Sequence, residues 1–203
     1  MLLKSGLLVI TAYLIGSIPF SYLFPKVKGK NTQKEGTGNV GATNALITAG
    51  PLPAILALFG DVAKGFLAIM LARYFQLPPL GLALVALAAV VGHDFSVFLK
   101  FRGGKGVATT GGILLALDPL FMFLVLLVWV LTMMLIRYFI PATVATLCLI
   151  PFLMWAGSWP LEYYLFGVGN ALLGIYAHRL DLQRFLAGQE LTIEQAIKKH
   201  RKP

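Results

Sequence analysis

The stretch PLPAILALFGDVAKGFLAIMLARYF, from Pro51 to Phe75, decides the fold. A helix that crosses a bilayer needs roughly 17 to 25 mostly apolar residues, and this stretch supplies them without a break. Its charged residues are Asp61, Lys64 and Arg73. Because so few polar groups interrupt it, we predict that the stretch forms a membrane-spanning helix.

The same requirement selects further segments on both sides of this helix. The strong ones are Leu7 to Phe24, Leu80 to Phe101, Leu120 to Ile136, Ile140 to Ala156 and Leu161 to Ala177. Another segment, Val107 to Leu117, is too short to cross alone, and we expect a half-helix or a tilted span there. The first segment does not match a signal peptide, since no small-residue cleavage site follows it and other long apolar segments do.

The composition of the whole chain supports this interpretation. The 203 residues are 58% hydrophobic and 12% charged, with a mean hydropathy of +0.82, whereas soluble domains carry about 25% charged residues. The sequence therefore predicts an all-α, polytopic membrane protein with about seven transmembrane helices, one of them short. We expect residues 1–203 to form a single transmembrane domain in which residues 179–203 are a polar cytoplasmic tail.

Lysine and arginine residues predict the orientation of the chain, because short loops that carry them stay in the cytoplasm. Seven crossings that begin outside place these basic residues inside: Lys26, Lys28, Lys30, Lys34, Lys100, Arg102, Lys105, Arg137, Arg179, Arg184, Lys198, Lys199, Arg201 and Lys202. Lys4 is then outside, so we expect an external N-terminus and a cytoplasmic C-terminus in the cell's inner membrane. Near the end of the chain, Thr192 and Gln195 match a capping box that opens a short surface helix.

The formal net charge of +9 does not indicate nucleic acid binding, since the basic residues are spread between apolar runs. Anionic lipids and small phosphorylated molecules are the expected partners. The single cysteine, Cys148, supports neither an internal disulfide nor a multi-cysteine metal site. The scattered histidine and acidic residues match no metal-ligand spacing, and we expect no metal and no cofactor.

One glycine-rich motif follows the first span: Gly36-Thr37-Gly38-Asn39-Val40-Gly41-Ala42-Thr43-Asn44. It matches the pattern G-x-G-x-x-G, but a dinucleotide fold needs a buried strand before that pattern, and the preceding residues are polar and basic. Glycines still let backbone N–H groups approach an anion, so the motif can form a phosphate-binding nest. Its threonine and asparagine side chains would add donors. The alternative is a flexible loop at the membrane surface.

A second motif, Gly103-Gly104-Lys105-Gly106, lies directly before the short apolar segment. It is not a P-loop, because the upstream glycine is missing and glycine instead of serine or threonine follows the lysine. The start of a helix nevertheless attracts anions through its unpaired N–H groups and its dipole. We therefore predict a second phosphate-binding element here, close to His93 at the end of the preceding span.

The pair Asp61 and Lys64 is the third candidate feature. Residues three apart share one face of a helix, so the two side chains can pair. Charged groups inside a span are costly unless they pair or line a cavity, which makes them candidates for function. A purely structural ion pair that ties helices together is the alternative.

Together these motifs resemble a known family, the integral-membrane acyltransferases that begin bacterial phospholipid synthesis with acyl phosphate and glycerol 3-phosphate. The resemblance rests on the motifs G-x-G-N-x-G-A-T-N and G-G-K-G-V-A-T, supported by Gly16-Ser17-Ile18-Pro19, Asp61 to Gly65, Gly92-His93 and the segment Leu186 to Glu190. It implies seven spans, an active site of cytoplasmic loops and no metal. The implied reaction moves a fatty acyl group from acyl phosphate to the 1-hydroxyl of glycerol 3-phosphate, giving lysophosphatidate and phosphate.

The resemblance also implies roles for individual residues. Catalytic roles fall to Lys105, His93, Thr37 and Asn39. Substrate and phosphate binding fall to Gly36, Gly38, Gly41, Thr43, Asn44, Gly103, Gly104, Asp61, Lys64, Thr143, His178 and Asp181. The expected partners are acyl phosphate, glycerol 3-phosphate and the lipid bilayer.

This sequence departs from the family pattern at several positions on the acceptor side. Asn31 and Gln33 replace an aspartate and an arginine, and Ile47 replaces an arginine. Ile140 and Thr143 replace serines, and Asp181 replaces an asparagine. A related enzyme with another acceptor or without activity, and a transporter of anions or lipid phosphates, are therefore the alternative hypotheses.

Overall fold

The structure, a computed structural model, describes residues 2–190 and residue 192. Within these residues the chain is helical, with no strand. A 3-10 turn, Val97–Leu99, follows the fifth helix. The α-helices are α1 Leu2–Ser17, α2 Phe20–Val27, α3 Ala42–Ala49, α4 Pro51–Tyr74, α5 Pro79–Asp94, α6 Val107–Leu117, α7 Pro119–Ile136, α8 Phe139–Ala156, α9 Glu162–Ala177 and α10 Arg179–Leu186.

Five helical segments of the described chain are long and apolar enough to cross a membrane. They are Leu3–Val27, Pro51–Tyr74, Pro79–Leu99, Pro119–Ile136 and Phe139–Ala156. Helices α6 and α9, of 11 and 16 residues, bring the apolar segments to the predicted seven. At 1.5 Å per residue, α6 rises by about 16 Å, roughly half of the hydrocarbon thickness. The predicted all-α membrane fold with one short helix is confirmed.

The first span differs from the uninterrupted helix that the sequence predicted. Helix α1 ends at Ser17, and α2 starts at Phe20 after a break at Ile18 and Pro19. Proline lacks the N–H that would continue the α-helical ladder. After the break the Tyr22 N–H donates to the Pro19 carbonyl oxygen, so of the described backbone N–H groups only that of Phe20 donates to the Ile18 carbonyl oxygen, at 3.2 Å, and this oxygen can take a further donor.

The third predicted span is shorter than expected: its α-helix, α5, ends at Asp94 and its 3-10 turn at Leu99, before the predicted Phe101. The chain turns back after the 3-10 turn, and the N–H groups of Gly103 and Gly104 donate to the carbonyl oxygens of Asp94 and His93, at 2.9 and 3.0 Å. These bonds satisfy acceptors at the end of α5 that would otherwise lack helical partners. The glycine motif therefore closes the helix that precedes it.

Two short helices occupy segments for which the sequence predicted no helix. Helix α3 begins at Ala42, inside the predicted glycine-rich loop. Helix α10 occupies part of the predicted polar tail and contacts the bundle through the Phe185 ring, whose centroid lies 4.9 Å from that of Tyr138. The capping box at Thr192 and Gln195 and the basic end, Lys198 to Lys202, lie outside the described residues, apart from Thr192 itself.

Glycines bring the central helices into direct backbone contact, as is common in membrane bundles. A Cβ atom on Gly16 of α1 would overlap the backbone of Ala89 in α5. On α6, a Cβ atom on Gly112 would overlap the Val62 carbonyl of α4. Helices α1, α4, α5 and α6 therefore form the tight centre, whereas α7 faces mostly outward.

We predict that Gly112→Ala destabilises the bundle and that Gly111→Ala, its matched control, does not. A Cβ atom on Gly111 would only touch the Met122 Cε atom at 3.8 Å. Overpacking a close contact costs about 1–3 kcal/mol, so thermal unfolding in detergent should occur several degrees lower for Gly112→Ala. Equal melting temperatures for the two variants would show that α4 and α6 are not in close backbone contact.

Candidate functional site

The two glycine motifs, far apart in the sequence, meet at one end of the bundle. A Cβ atom on Gly104 would overlap both the Val40 carbonyl oxygen and the Nε2 atom of His93. Beside this contact, the Gln33 amide nitrogen donates to the Arg102 carbonyl oxygen at 3.0 Å. The space that glycine leaves at position 104 thus allows the two loops to form one surface.

Asn44 holds the first loop in shape. Its side chain is fully buried, and Nδ2 donates to the carbonyl oxygens of Thr32, Glu35 and Asn39 at 2.8, 3.0 and 2.9 Å. Its Oδ1 atom accepts from the Thr37 N–H at 2.8 Å. The predicted role of Asn44 as a donor to phosphate stays a prediction, but the contacts in the structure are those of a residue that organises the loop.

Gly36 and Gly38 allow the tight turns of this loop, with φ values of +62° and +74°. Side chains rarely tolerate this left-handed region, and a Cβ atom on Gly36 would also overlap Asn44 Oδ1. The turns leave Thr37 and Thr43 exposed at the surface. Their hydroxyl groups can therefore reach a bound molecule.

Two helices begin at this surface without a side-chain cap. The N-cap residues are Gly41 for α3 and Gly106 for α6, and neither has a side chain that could accept a hydrogen bond from the first N–H groups of its helix. The first N–H groups of a helix have no partner within the helix, and they favour anions. Backbone N–H donors of the kind that we predicted for the glycine-rich segments are therefore present at residues 41–44 and 106–109.

Gly103 and Gly104 contribute in another way, because their N–H groups already donate to the end of α5. A Cβ atom on Gly103 would overlap the His93 carbonyl oxygen. In the structure both glycines allow close packing, and their direct binding of phosphate stays a prediction. The next residue, Lys105, forms an ion pair with Asp181 of α10.

Beneath the loops lies a buried cluster of charged residues. Lys64 Nζ lies 2.9 Å from Asp61 Oδ1, and both side chains are 2% exposed. Ser21 of α2 donates to Asp61 Oδ2 at 2.5 Å, and Lys64 donates to the Ile18 carbonyl oxygen at 3.0 Å. The pairing inferred from the spacing of Asp61 and Lys64 is thus present, and the break between α1 and α2 completes it.

His93 links this cluster to the loops. Its Nδ1 atom lies 3.6 Å from Asp61 Oδ1, and its other nitrogen faces Gly104. The side chain is buried. These contacts suit a residue that supports the loop, and the catalytic role assigned to His93 stays a prediction.

His178 lies near Lys105 and Asp181. Burial, followed by the nearby Lys105 ammonium, lowers the pKa of His178 below its usual value. Its Nδ1 atom lies 2.9 Å from the Gly174 carbonyl oxygen. A carbonyl can only accept, so Nδ1 carries the proton in the neutral ring and Nε2 is an acceptor.

The contacts of Thr143 are with α7 and with its own helix. Its hydroxyl group accepts from Trp129 Nε1 at 3.0 Å and donates to the Phe139 carbonyl oxygen at 2.8 Å. A bond of the second kind, to the residue four positions earlier, is common for threonine in helices. Substrate binding by Thr143 stays a prediction.

Sequence reasoning missed several residues that shape the site. Ser21 could have been suspected as a polar residue in an apolar span, but its partner Asp61 lies on another helix. Gln33, which replaces an arginine of the family pattern, joins the two loops. Asp94 is buried at the end of α5, and its Oδ1 atom has no hydrogen-bond partner in the described structure. None of these contacts joins residues at a helical spacing, so no periodic pattern in the sequence predicts them.

The fold and the site define a class: integral membrane proteins of bundled helices whose glycine-rich loops and lysines form a polar surface at one end. The family model for glycerol-3-phosphate acyltransferase matches residues 6–188. The chain belongs to this family. The predicted family and, with it, an enzyme of phospholipid synthesis that transfers acyl groups are confirmed.

Individual relatives cover nearly the whole chain. A glycerol-3-phosphate acyltransferase 2 of Moorella thermoacetica is 43% identical over 91% of this chain and 95% of its own length. A glycerol-3-phosphate acyltransferase of Bordetella pertussis is 39% identical over 95% of this chain and 93% of its own.

Two solved structures share the architecture. The glycerol 3-phosphate form of PlsY, an integral membrane glycerol 3-phosphate acyltransferase, matches with a TM-score of 0.90 and 32% identity over 98% of this chain and 100% of that one. The lysophosphatidic acid form matches with a TM-score of 0.85 and 34% identity, over 93% and 95%.

We predict that Lys64→Met strongly destabilises the protein because it leaves Asp61 buried without a counter-ion. Breaking a buried pair by removing one partner costs about 3–5 kcal/mol. Adding Asp61→Asn to Lys64→Met should restore much of the loss. Unfolding in detergent measures all three proteins, with the exposed Lys28→Met as the control. A Lys64→Met variant as stable as the parent would contradict the prediction.

Proposed function

We propose that this enzyme transfers a fatty acyl group from acyl phosphate to the 1-hydroxyl of glycerol 3-phosphate, releasing lysophosphatidate and phosphate. Family membership supports the acyl transfer, and the similar structures were solved with glycerol 3-phosphate and lysophosphatidic acid. The observation that carries the proposal is the contact of Gly104 with Val40, which joins two helix starts and Lys105 in one surface.

The proposed acyl transfer does not require a nucleophile from the protein. Acyl phosphate is an activated mixed anhydride, so the hydroxyl oxygen of the acceptor can attack the acyl carbon directly. The bond between that carbon and the phosphate oxygen then breaks, and phosphate leaves with the electron pair. By holding the two substrates in contact, the enzyme converts a bimolecular step into an effectively unimolecular one, which lowers the barrier. Because no nucleophile of the enzyme is needed, we infer that no covalent acyl-enzyme forms.

Positive charge and backbone donors would stabilise the leaving phosphate. In this scheme Lys105 and the first N–H groups of α3 and α6 supply these at the surface. The N–H groups are fixed in position before the substrate arrives, whereas Lys105 exchanges Asp181 for the phosphate. Thr37, Asn39 and Thr43 add side-chain donors. The proton of the attacking hydroxyl goes to a phosphate oxygen of either substrate, which makes the reaction balanced without an outside base.

The buried cluster would support this surface from below. Asp61 and Lys64 fix the break between α1 and α2, and His93 holds Gly104 against the first loop. In this scheme these residues position the site without touching the reacting atoms. Gln33 performs a similar task from the side, through its bond to the Arg102 carbonyl oxygen.

We infer that the site faces the cytoplasm. Lys26, Lys28, Lys30, Lys34, Lys100, Arg102, Lys105, Arg137, Arg179 and Arg184 lie in or beside the connections at the end of the bundle that carries the site. Lys4 lies at the other end, over the Phe75 ring at 5.3 Å from its centroid. Basic connections stay inside the cell, so this orientation places the N-terminus outside.

Purified protein given acyl phosphate and glycerol 3-phosphate should produce lysophosphatidate and phosphate in equal amounts. Lys105→Ala should lower kcat/KM by about tenfold to a hundredfold, since a charge-assisted bond to phosphate contributes about 1.5–3 kcal/mol. The exposed Lys28→Ala is the matched control and should keep its activity. Full activity in Lys105→Ala would exclude Lys105 from the mechanism, and an acyl adduct sensitive to hydroxylamine would exclude direct transfer.

The orientation is tested with a membrane-impermeant maleimide on intact cells, after Cys148→Ala removes the single cysteine of the chain. Ser158→Cys, at the connection between α8 and α9, should react from outside. Lys28→Cys should react only after the membrane is permeabilised. Reaction of Lys28→Cys in intact cells would reverse the proposed orientation.

A further inference from the structure

Asp94, the last residue of α5, carries a buried carboxylate that the proposed mechanism does not use. The residue is 6% exposed, and its Oδ1 atom has no hydrogen-bond partner in the described structure. The large majority of buried polar side-chain atoms have a partner, so an exception calls for an explanation. An acceptor of this kind suits a bound molecule that brings its own donor.

The carboxylate lies at the start of α6, beneath the second glycine motif. A Cβ atom on Gly106, the N-cap residue of α6, would lie 3.1 Å from Asp94 Oδ1. Next to it, the Gly103 N–H donates to the Asp94 carbonyl oxygen at 2.9 Å. The carboxylate is therefore directed at the uncapped helix start, on the inner side of the loop that carries Lys105.

Two ammonium groups attract this carboxylate, but neither forms a hydrogen bond with it. They belong to Lys64 and Lys105. Lys64 pairs with Asp61 at 2.9 Å. Lys105 contacts Asp181. The positive charges stabilise a carboxylate at this depth, while its capacity to accept hydrogen bonds stays unused, so Asp94 is available to a donor from outside the chain.

The helix start and Asp94 differ in what they can bind. The first N–H groups of α6 and the Lys105 ammonium are donors, which suit a phosphate group. Asp94 offers acceptor oxygens, which suit a hydroxyl group and repel an anion. Glycerol 3-phosphate carries both kinds of partner, a phosphate group on one carbon and hydroxyl groups on the other two. With its phosphate at the donors, its hydroxyl groups can point toward Asp94.

We propose that Asp94 accepts a hydrogen bond from the 2-hydroxyl of glycerol 3-phosphate and thereby selects acceptors that carry this hydroxyl. The inference rests on the proposed function, in which glycerol 3-phosphate is the acceptor. It adds a specificity-determining residue at the inner side of the site, in a position that none of the site residues named from the sequence occupies.

The 2-hydroxyl suits this contact better than the 1-hydroxyl does. In the proposed reaction the 1-hydroxyl attacks the acyl carbon and gives its proton to a phosphate oxygen, so it must face the acyl phosphate. The 2-hydroxyl keeps its proton throughout and stays a donor. Binding it at Asp94 also limits the rotation of the glycerol chain, which holds the 1-hydroxyl in a defined direction.

The test compares glycerol 3-phosphate with 3-hydroxypropyl phosphate, which lacks only the 2-hydroxyl. The ratio of their kcat/KM values is measured for the parent, Asp94→Ala and Asp94→Asn. The parent should prefer glycerol 3-phosphate by about tenfold or more, because the analogue leaves the Asp94 carboxylate without a donor. The preference should fall about tenfold in Asp94→Ala. Asp94→Asn keeps an acceptor oxygen without the charge, so its ratio should lie between the two.

Glu162→Gln, an exposed acidic residue at the far end of α9, is the matched control and should keep the parent's ratio. If Asp94 only supports the loop, both kcat/KM values fall together in Asp94→Ala and the ratio stays constant, which would overturn the proposal. A parent that uses both acceptors equally well would overturn it too. Asp94→Asn, which preserves the shape of the side chain, provides the comparison if Asp94→Ala does not fold.

The hydroxyl contact and the proposed reaction can fail separately. Thermal stabilisation of the protein by each of the two phosphates, without acyl phosphate, reports binding in the absence of turnover. Stronger stabilisation of the parent by glycerol 3-phosphate, with the difference lost in Asp94→Ala, would support the contact even if no lysophosphatidate formed. Normal acyl transfer with the same ratio in the parent and in Asp94→Ala would exclude the contact and leave the reaction intact.

Discussion

The ion pair between Asp61 and Lys64 is the contact on which the rest of the site depends. Two charges at 2% exposure inside an apolar bundle are tolerated only because each has several partners. Ser21 contacts the carboxylate, and the Ile18 carbonyl oxygen accepts from the ammonium group. The pair thereby fixes the relative positions of α1, α2 and α4. The break between α1 and α2 would destabilise an isolated span, but here its Ile18 carbonyl oxygen binds the Lys64 ammonium group.

One histidine and one glycine connect this buried ion pair to the loops at the end of the bundle. His93 lies against Asp61 on one side and against Gly104 on the other, and Gly104 contacts the loop that Asn44 organises. The loops are therefore held by buried groups below them and do not depend on a ligand for their shape. Preorganised donors of this kind do not have to rearrange when charge develops in a reaction.

The sequence predicted the spans well because the physics that sets them is local. Apolar length and proline position determined α4, α7 and α8 to within about one residue, and the bounds of α6 agree with the prediction. Helix α3 was not predicted, because its glycine-rich start and polar first turn are typical of loops. The roles of Ser21 and Gln33 could not be predicted, since their partners lie in segments distant in the chain. The role of Asn44 depends on how its own loop folds around it, which no periodic pattern encodes. The motifs identified which segments form the site, and tertiary contacts decided what each residue does there.

The short helix α6 sets the depth of the chemistry. Arg73, near the end of α4, donates to the Leu117 carbonyl oxygen at the end of α6, so the two helices finish at the same level. Because α6 rises by only about 16 Å, its start is recessed from the level that a full-length span would reach. In the proposed reaction, this recess brings the reacting head group of a fatty substrate below the membrane surface, while the tail stays among the lipid chains.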